Sequence, residues 1–459
     1  MQRIVQHGLL FAAVLLMGLS NHVQCHGQQR IKISVMPVQA LMDDRLTIRI
    51  SELPPRRRIT ISAQSKSHDQ HYWRSNAVFR AGVDGRLDLS AQAPQQGSYT
   101  GVDAMGLFWS MQPVKIPNRK TPAFFSTIDW SAPIITDIDV VCDGNPLGSV
   151  RVARHFAAPR VCLESVRSNG IVGVLYRPCE QRKFAGVIVM GGSEGGFAGA
   201  EAPMLASRGF VALSLAYFGT DGLPQSMQRI PVEYFGRAIR WMASRSDVDR
   251  ECISLLGASR GAEAALIVGS LFPEVKAVVV ASGSHVLWEG ATARQMPGGS
   301  AWTYKGKPLP FVPLRISAGF GFRYLWSIVT GNGLAFTPMF LDSLGRSDIG
   351  PVEIPVESIQ GPVLLGSGSD DHKWPSSMMS NRVMDRLRQN KHPFRDEYVE
   401  YAGAGHWLPS AYVPTAGLQG GMKEEIGGTA EATARVEADW WPRILRFLSA
   451  LSARDSIPK

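Results

Sequence analysis

Four short apolar runs constrain this chain more than any other feature. "AGVIVMGG", "VALSLAYF", "CISLLGAS" and "VKAVVVASG" follow one another between Ala185 and Gly283, almost without charge. A strand that is apolar on both faces must be covered on both faces. The intervening segments supply the cover. Residues Gly199–Arg208 suit a helix, Tyr234, Ile239 and Met242 recur at helical spacing after Pro231, and "RGAEAALIVGSL" has the composition of a buried helix. Strands alternating with helices predict a mostly parallel sheet with helices on both sides. A fifth run, "GPVLLGSG", comes much later. The stretch before it, 284–360, is too long for a plain connection and predicts an insertion that caps a site or completes one of its walls. The last helix is expected over Ala432–Leu451, with Val436, Trp440, Ile444 and Phe447 facing the sheet and Pro442 kinking or restarting it.

The N-terminal part has a different period. In "RLTIRISEL", Leu46, Ile48 and Ile50 share one face while Thr47 and Arg49 share the other. Ile59 with Ile61, and Leu87 with Leu89, repeat the pattern. Alternation of period two between turn residues predicts half-buried antiparallel strands. Their spacing suits an all-β, immunoglobulin-like sandwich over 29–135, with no helix, and a tail or linker from Pro113 to Pro122. The second domain is then 136–459. A chain of 459 residues accommodates two such units. At the start of the second, "VCLESVRSNGIVGVLYRPC" predicts two strands joined by an Asn169-Gly170 hairpin turn.

"MQRIVQHGLLFAAVLLMGLSNHVQC" has the layout of a secretory signal peptide over 1–25: Arg3, an apolar core from Leu9 to Leu19, then small and polar residues, with Ser20 as a cleavage point. That core is shorter than the roughly 20 apolar residues of a spanning helix, so an exported protein without a stable membrane span is expected. Gln24 stands where a lipid anchor on Cys25 wants a small residue. The net charge is +9, but the basic residues are scattered and "PPRRR" is their densest cluster, which argues against a nucleic-acid partner. Of the five cysteines, Cys142, Cys162 and Cys179 are close enough in sequence to pair, and spacing does not choose among them. No metal-ligand spacing and no cofactor motif stands out.

The chemistry concentrates in "SLLGASRGAEAAL". Ser259 lies between a strand and a helix, with Gly257 and Gly261 two residues to either side. This is the G-x-S-x-G elbow, in which neighbouring backbone comes so close that only glycine fits at the flanks. A serine hydroxyl needs a base, and the base needs an acid. In sheets of this type the order along the chain is serine, acid, histidine. "LLGSGSDDHKWPS" ends a strand with Asp370 and Asp371, of which Asp371 is the preferred acid. "EYVEYAGAGHWLP" ends another with His406, the expected base. His285, after "VVVASGS", competes as a strand-end histidine, and His372 is less suited because it adjoins the acid. The oxyanion would be met by backbone N–H groups of Arg260 and of Gly192 or Ser193 in "GGSEGG". Glu194 in that loop argues against phosphate binding. Arg260 and Glu263 are placed to pair at i,i+3. Trp302, Tyr304 and the run from Phe320 to Trp326 are candidates for lining an acyl pocket or for packing.

Several longer stretches resemble one family. "GSYTGVDAMGLFWSM" is similar to the N-terminal signature of the acyl-CoA thioesterases and bile acid-CoA:amino acid N-acyltransferases. "RGFVALSLAYFGTDGLPQSMQRIPVEYFGRAIRWM", "LLGASRGAE", "GSDDHKWPS", "YAGAGHW" and "GGTAEATARVEADWW" follow that family's C-terminal domain in order. The resemblance implies a β-sandwich joined to an α/β-hydrolase domain. It also implies a triad of Ser259, Asp371 and His406, with Asp371 favoured over Asp370 as the aspartate before the His-x-Trp segment. The acyltransferase branch carries a cysteine nucleophile, so serine resembles the thioesterase branch. The implied reaction is hydrolysis of an acyl thioester, the small-molecule partner, through an acyl-serine. An exported chain would point to a carboxylic ester in its place, and transfer to an amine by the same triad is the other alternative.

Overall fold

A computed structural model describes residues 31–67, 70–115, 132–291, 297–330, 332–418 and 424–453. The expected signal peptide and most of the expected linker lie outside them. In the N-terminal part, the period-two alternation becomes two antiparallel sheets. One pairs β1 (Lys32–Met36) with β2 (Thr47–Ser51) and a short strand at Leu87. The other runs β3 (Arg58–Lys66), β4 (Tyr72–Arg80), β5 (Ile134–Cys142) and β6 (Asn145–His155), in the order β6-β5-β3-β4. Leu46, Ile48, Ile50, Ile59, Ile61, Leu87 and Leu89 are buried in one core, while Arg49 is exposed. One helical turn, Gly106–Trp109, was not expected, since four residues are too few to show a period. It lies in the "GSYTGVDAMGLFWSM" stretch, where a side chain on Gly106 would meet the Tyr99 ring at 2.3 Å.

The boundary expected between 135 and 136 falls inside β5. The β5–β6 hairpin alternates, burying Ile134, Thr136, Ile138 and Val140, and β5 bonds along β3 in the N-terminal sheet. The composition shift near Asp137 falls within this hairpin.

The second sheet has eight strands. In chain order they are β7 (Val161–Ser168), β8 (Ile171–Pro178), β9 (Phe184–Met190), β10 (Val211–Ala216), β11 (Val248–Ala258), β12 (Ala277–Ala281), β13 (Val363–Gly368) and β14 (Glu397–Tyr401). Spatially they run β7-β8-β10-β9-β11-β12-β13-β14. β7 and β8 join antiparallel, and β10 through β14 pair in parallel. Asn169 and Gly170 turn the β7–β8 hairpin, both at positive φ (53° and 71°), which is the conformation a two-residue hairpin turn requires. Cys162 and Cys179 form a disulfide at its open end, and Cys142 and Cys252 are buried elsewhere.

Helices stand where helical spacing was read: α1 (Glu201–Ser207), α2 (Glu233–Ala243), α3 (Arg260–Leu271) and, at the end of the chain, α7 (Ala430–Ala453); α4 (Ala318–Thr330) and α5 (Thr337–Gly345) in the insertion, and α6 (Ser376–Gln389) after it, were not expected. α7 runs through Pro442 without restarting, and buries Val436, Trp440 and Ile444 against the sheet. No helix among the described residues is long and apolar enough to cross a membrane.

The two sheet systems meet at a buried cation. Arg154 on β6 is 1% exposed; its guanidinium donates to the Tyr412 carbonyl at 2.7 Å and lies 4.5 Å from the Phe108 ring centre. Glu437 on α7, itself 2% exposed, is buried in the same region without an ion-pair contact to Arg154; its carboxyl is driven up by burial and held back by the Val413 N–H and by the Arg154 charge. Removing one of two opposite charges buried in the same region leaves the other less compensated. Arg154→Met should therefore cost about 3 kcal/mol of stability, and adding Glu437→Gln should recover part of the loss. Denaturant titrations of the wild type and both variants check this.

Candidate active site

β11 delivers Ser259 to the edge of the sheet, and α3 starts at the next residue. Ser259 has φ 55° and ψ −120°, a conformation that costs energy for any residue with a side chain. The surroundings hold it there. Its N–H donates to the Ala281 carbonyl on β12 at 2.9 Å, and its own carbonyl accepts from Ala262 and Glu263. A Cβ on Gly257 would stand 2.2 Å from the Gly261 oxygen, and a Cβ on Gly261 would stand 2.2 Å from the Gly191 oxygen. Both distances are inside van der Waals contact, so the elbow closes only with glycine at these places.

The three side chains expected to act together form one hydrogen-bonded line. Ser259 Oγ lies 3.0 Å from His406 Nε2, and His406 Nδ1 lies 2.9 Å from Asp371 Oδ2. A carboxylate only accepts, so Nδ1 carries the hydrogen and Nε2 is left to receive the serine proton. His406 and Asp371 are 6% and 7% exposed. His406 is fixed through its backbone: its N–H donates to Ile426 and its carbonyl accepts from Ser282 Oγ at 2.7 Å.

Asp371 is ringed by donors. Oδ1 accepts from the N–H groups of Lys373 (2.9 Å) and Trp374 (3.2 Å), and Oδ2 accepts from Ser376 Oγ at 2.5 Å as well as from His406. Four donors on one buried carboxylate fix the angle at which it meets the imidazole. Trp374 closes the arrangement, its ring edge-on to His406 at 5.9 Å and its indole N–H on the Ser282 carbonyl at 3.0 Å. Sequence reading did not single out Ser376, Trp374 or Ser282. The position of Ser376 in the first turn of α6, just after the acid, was the one local signal.

The glycine loop reaches the elbow from the other side. A Cβ on Gly192 would lie 3.3 Å from Ser259 Cβ, and Tyr217 Oη donates to the carbonyls of Gly191 (2.8 Å) and Gly192 (3.2 Å). The expected Arg260–Glu263 pair forms at 3.0 Å with both side chains buried. Glu263 also accepts from the Trp302 indole at 2.6 Å, so Trp302 anchors the insertion to α3 and does not line an acyl pocket. Burial pushes the Glu263 carboxyl up, and Arg260, the Trp302 indole N–H and the Trp288 backbone N–H pull it back. Of the run from Phe320 to Trp326, Phe320 alone is buried.

The competing residues lie elsewhere. His372 pairs with Asp370 (3.1 Å) and Glu425 (3.4 Å) at the surface. His285 is buried, and burial together with Arg382 lowers its ring to about 4. A cavity of about 50 Å³ adjoins Ser259 and His406, lined by Leu256, Val279, Trp407, Leu408 and Trp440, with Glu201 and Ser410 at its polar end. A larger space of about 490 Å³ lies behind Asp371, along α6. Among the described residues no cluster of His, Cys, Asp and Glu could hold a metal ion.

Comparison with known proteins places this arrangement. Residues 43–168 match the "Acyl-CoA thioester hydrolase/BAAT N-terminal region" family, and residues 230–453 match "BAAT / Acyl-CoA thioester hydrolase C terminal". The chain is 30% identical over 427 residues to the peroxisomal succinyl-coenzyme A thioesterase of Mus musculus, covering 90% of this chain and 95% of that protein. It is 30% identical over 417 residues to acyl-coenzyme A thioesterase 1 of Homo sapiens, covering 88% and 93%. It is 29% identical over 427 residues to the mitochondrial acyl-coenzyme A thioesterase 2 of Mus musculus, covering 90% and 88%. These relatives correct the expectation of export drawn from residues 1–25. Those named by compartment are peroxisomal and mitochondrial, which points inside a cell. By both halves and by relatives along nearly its whole length, the chain belongs to the acyl-CoA thioester hydrolase/BAAT family.

Proposed function

We propose that Ser259 is the nucleophile of an acyl-thioester hydrolase, with His406 as its base and Asp371 as the acid that orients the base. One observation carries this reading: the 3.0 Å and 2.9 Å contacts that link a strained elbow serine, through a single imidazole, to a buried aspartate. Ser259 Oγ attacks the thioester carbonyl while Nε2 takes its proton. The tetrahedral oxyanion is met by the Arg260 N–H and by that of Gly192 or Ser193, the loop that already touches Ser259. Collapse breaks the carbon–sulfur bond, and the imidazolium returns its proton to the leaving thiolate. Water, deprotonated by His406, then cleaves the acyl-serine. Ser376 is adjacent to the acid and belongs to the second rank: it donates to Asp371, and no hydrogen bond joins it to His406.

The strand order, the elbow after β11 and the two N-terminal sheets support an α/β-hydrolase domain preceded by an immunoglobulin-like sandwich. We read the sandwich as reaching His155, and the hydrolase sheet as starting at Val161, with 284–360 as its insertion. Acyl-coenzyme A is the substrate class that the relatives' names suggest. Correction of the exported location removes the reason for preferring a carboxylic ester.

Ser259→Ala should lower kcat on a long-chain acyl-CoA by on the order of 10⁴–10⁶-fold with an unchanged melting temperature. Turnover at the wild-type rate would refute the assignment. Ser376→Ala keeps the nucleophile and base and removes one donor from Asp371, so kcat should fall only about tenfold, in line with the loss of a hydrogen bond to a charged group. A fluorophosphonate probe should label the wild type and Ser376→Ala but not Ser259→Ala; the opposite pattern would make Ser376 the nucleophile. With candidate amines present, the product should remain the free acid, as read by mass spectrometry, and an amide product would assign acyl transfer.

A further inference from the structure

Half of the exposed large apolar side chains among the described residues lie between Ile316 and Leu341. α4 carries most of them: Phe322 (68% exposed), Tyr324 (50%), Leu325 (61%), Trp326 (59%), Ile328 (62%) and Val329 (79%). Arg323, Ser327 and Thr330 fall at i, i+4 and i+7 and make one narrow polar stripe. The apolar residues occupy about 200° of the remaining circumference at 3.6 residues per turn. A helix that packs on a protein surface needs an apolar stripe of roughly 100°. A second copy of the chain would cover one side of α4 and leave Tyr324 and Ile328, or Phe322 and Val329, in water. Immersion in a fluid apolar layer covers the whole arc.

Charge and length point the same way. From Ile316 to Leu341 the sole charged residue is Arg323, Arg315 stands exposed just before, and no acidic residue intervenes. The chain as a whole is at +9. Thirteen residues of helix span about 20 Å, short of the roughly 30 Å of a bilayer core. Such a helix lies in the interface with its apolar arc among the acyl chains and its arginine at the headgroups.

α4 is tied to the catalytic line. Phe320 packs on Phe336 at 5.7 Å, and the Phe336 and Thr337 N–H groups donate to the His372 carbonyl. Thr337 Oγ1 donates to the Asp371 carbonyl at 2.7 Å. Phe340, one turn on, stacks against Trp374, which stacks against His406.

We propose that α4 docks this protein on an anionic lipid surface, from which the site takes acyl thioesters that partition into the bilayer. The docking step stands on α4 alone; the uptake step rests on the thioesterase reading. The test uses the full-length Ser259→Ala protein, which separates binding from turnover. It should float with vesicles of phosphatidylcholine and phosphatidylserine, more weakly with phosphatidylcholine alone, and less as salt is raised. Trp326→Asp with Val329→Asp should weaken flotation about tenfold. Arg323→Glu should weaken it on the anionic vesicles only. In the active background the double variant should keep wild-type turnover of a short, water-soluble acyl thioester and lose rate on vesicle-bound long-chain substrate. Absence of flotation, or equal flotation of the double variant, overturns the proposal. So does a dimer in lipid-free buffer that the double variant dissociates by sedimentation velocity, which would assign α4 to a second copy.

Discussion

The reversal of the chain at Ser259 is the constraint on which the site depends. The turn from β11 into α3 brings the backbone of residues 257, 259 and 261 and the end of β9 within contact of one another. No side chain can be placed there except the one that points out. The strained φ of Ser259 is held by hydrogen bonds from its own amide to β12 and from α3 to its carbonyl. The strain therefore rests on three adjacent elements of a rigid sheet. The same crowding sets the glycine loop against the serine, so a hydroxyl and two candidate oxyanion donors share one small space.

A hydroxyl so placed becomes reactive only through its partners, and these are held by a different device. Asp371 is surrounded by hydrogen-bond donors from its own loop and from the start of α6. His406 is tethered by backbone bonds to Ile426 and Ser282. Trp374 bridges the two. The imidazole has little freedom to turn, and its tautomer follows from the carboxylate beside it. The insertion is drawn into the same framework through Glu263, Trp302 and Thr337. The segment that carries the exposed α4 is therefore tied to Asp371.

Much of this was legible in the chain. Period-two alternation located the N-terminal strands because one face of each is in water. Uninterrupted apolar runs located the parallel strands because both faces are covered. The elbow and the two later strand ends were readable because the topology orders them along the chain. The misreadings have physical causes. The β5–β6 hairpin joins the N-terminal sheet, which its periodicity does not show, because periodicity says how a strand is covered and not which sheet it joins. The turn at Gly106–Trp109 is too short to show a period. Trp302 and the aromatic residues Phe322, Tyr324 and Trp326 are chemically alike, yet the first is in the core and the others are in solvent, and local sequence does not separate them.

What the sequence alone determined is local or ordered: element types, the glycine requirement at the elbow, and the order serine, aspartate, histidine. Those follow from periodicity, from steric exclusion at a tight turn, and from chain connectivity. What only the tertiary structure decided is distance. It brought Ser376, Trp374 and Ser282 around Asp371 and His406, chose Cys162 with Cys179 among three candidate cysteines, and left α4 uncovered. Contacts between residues far apart in sequence depend on how the whole sheet is closed and covered, which no short stretch of the chain encodes.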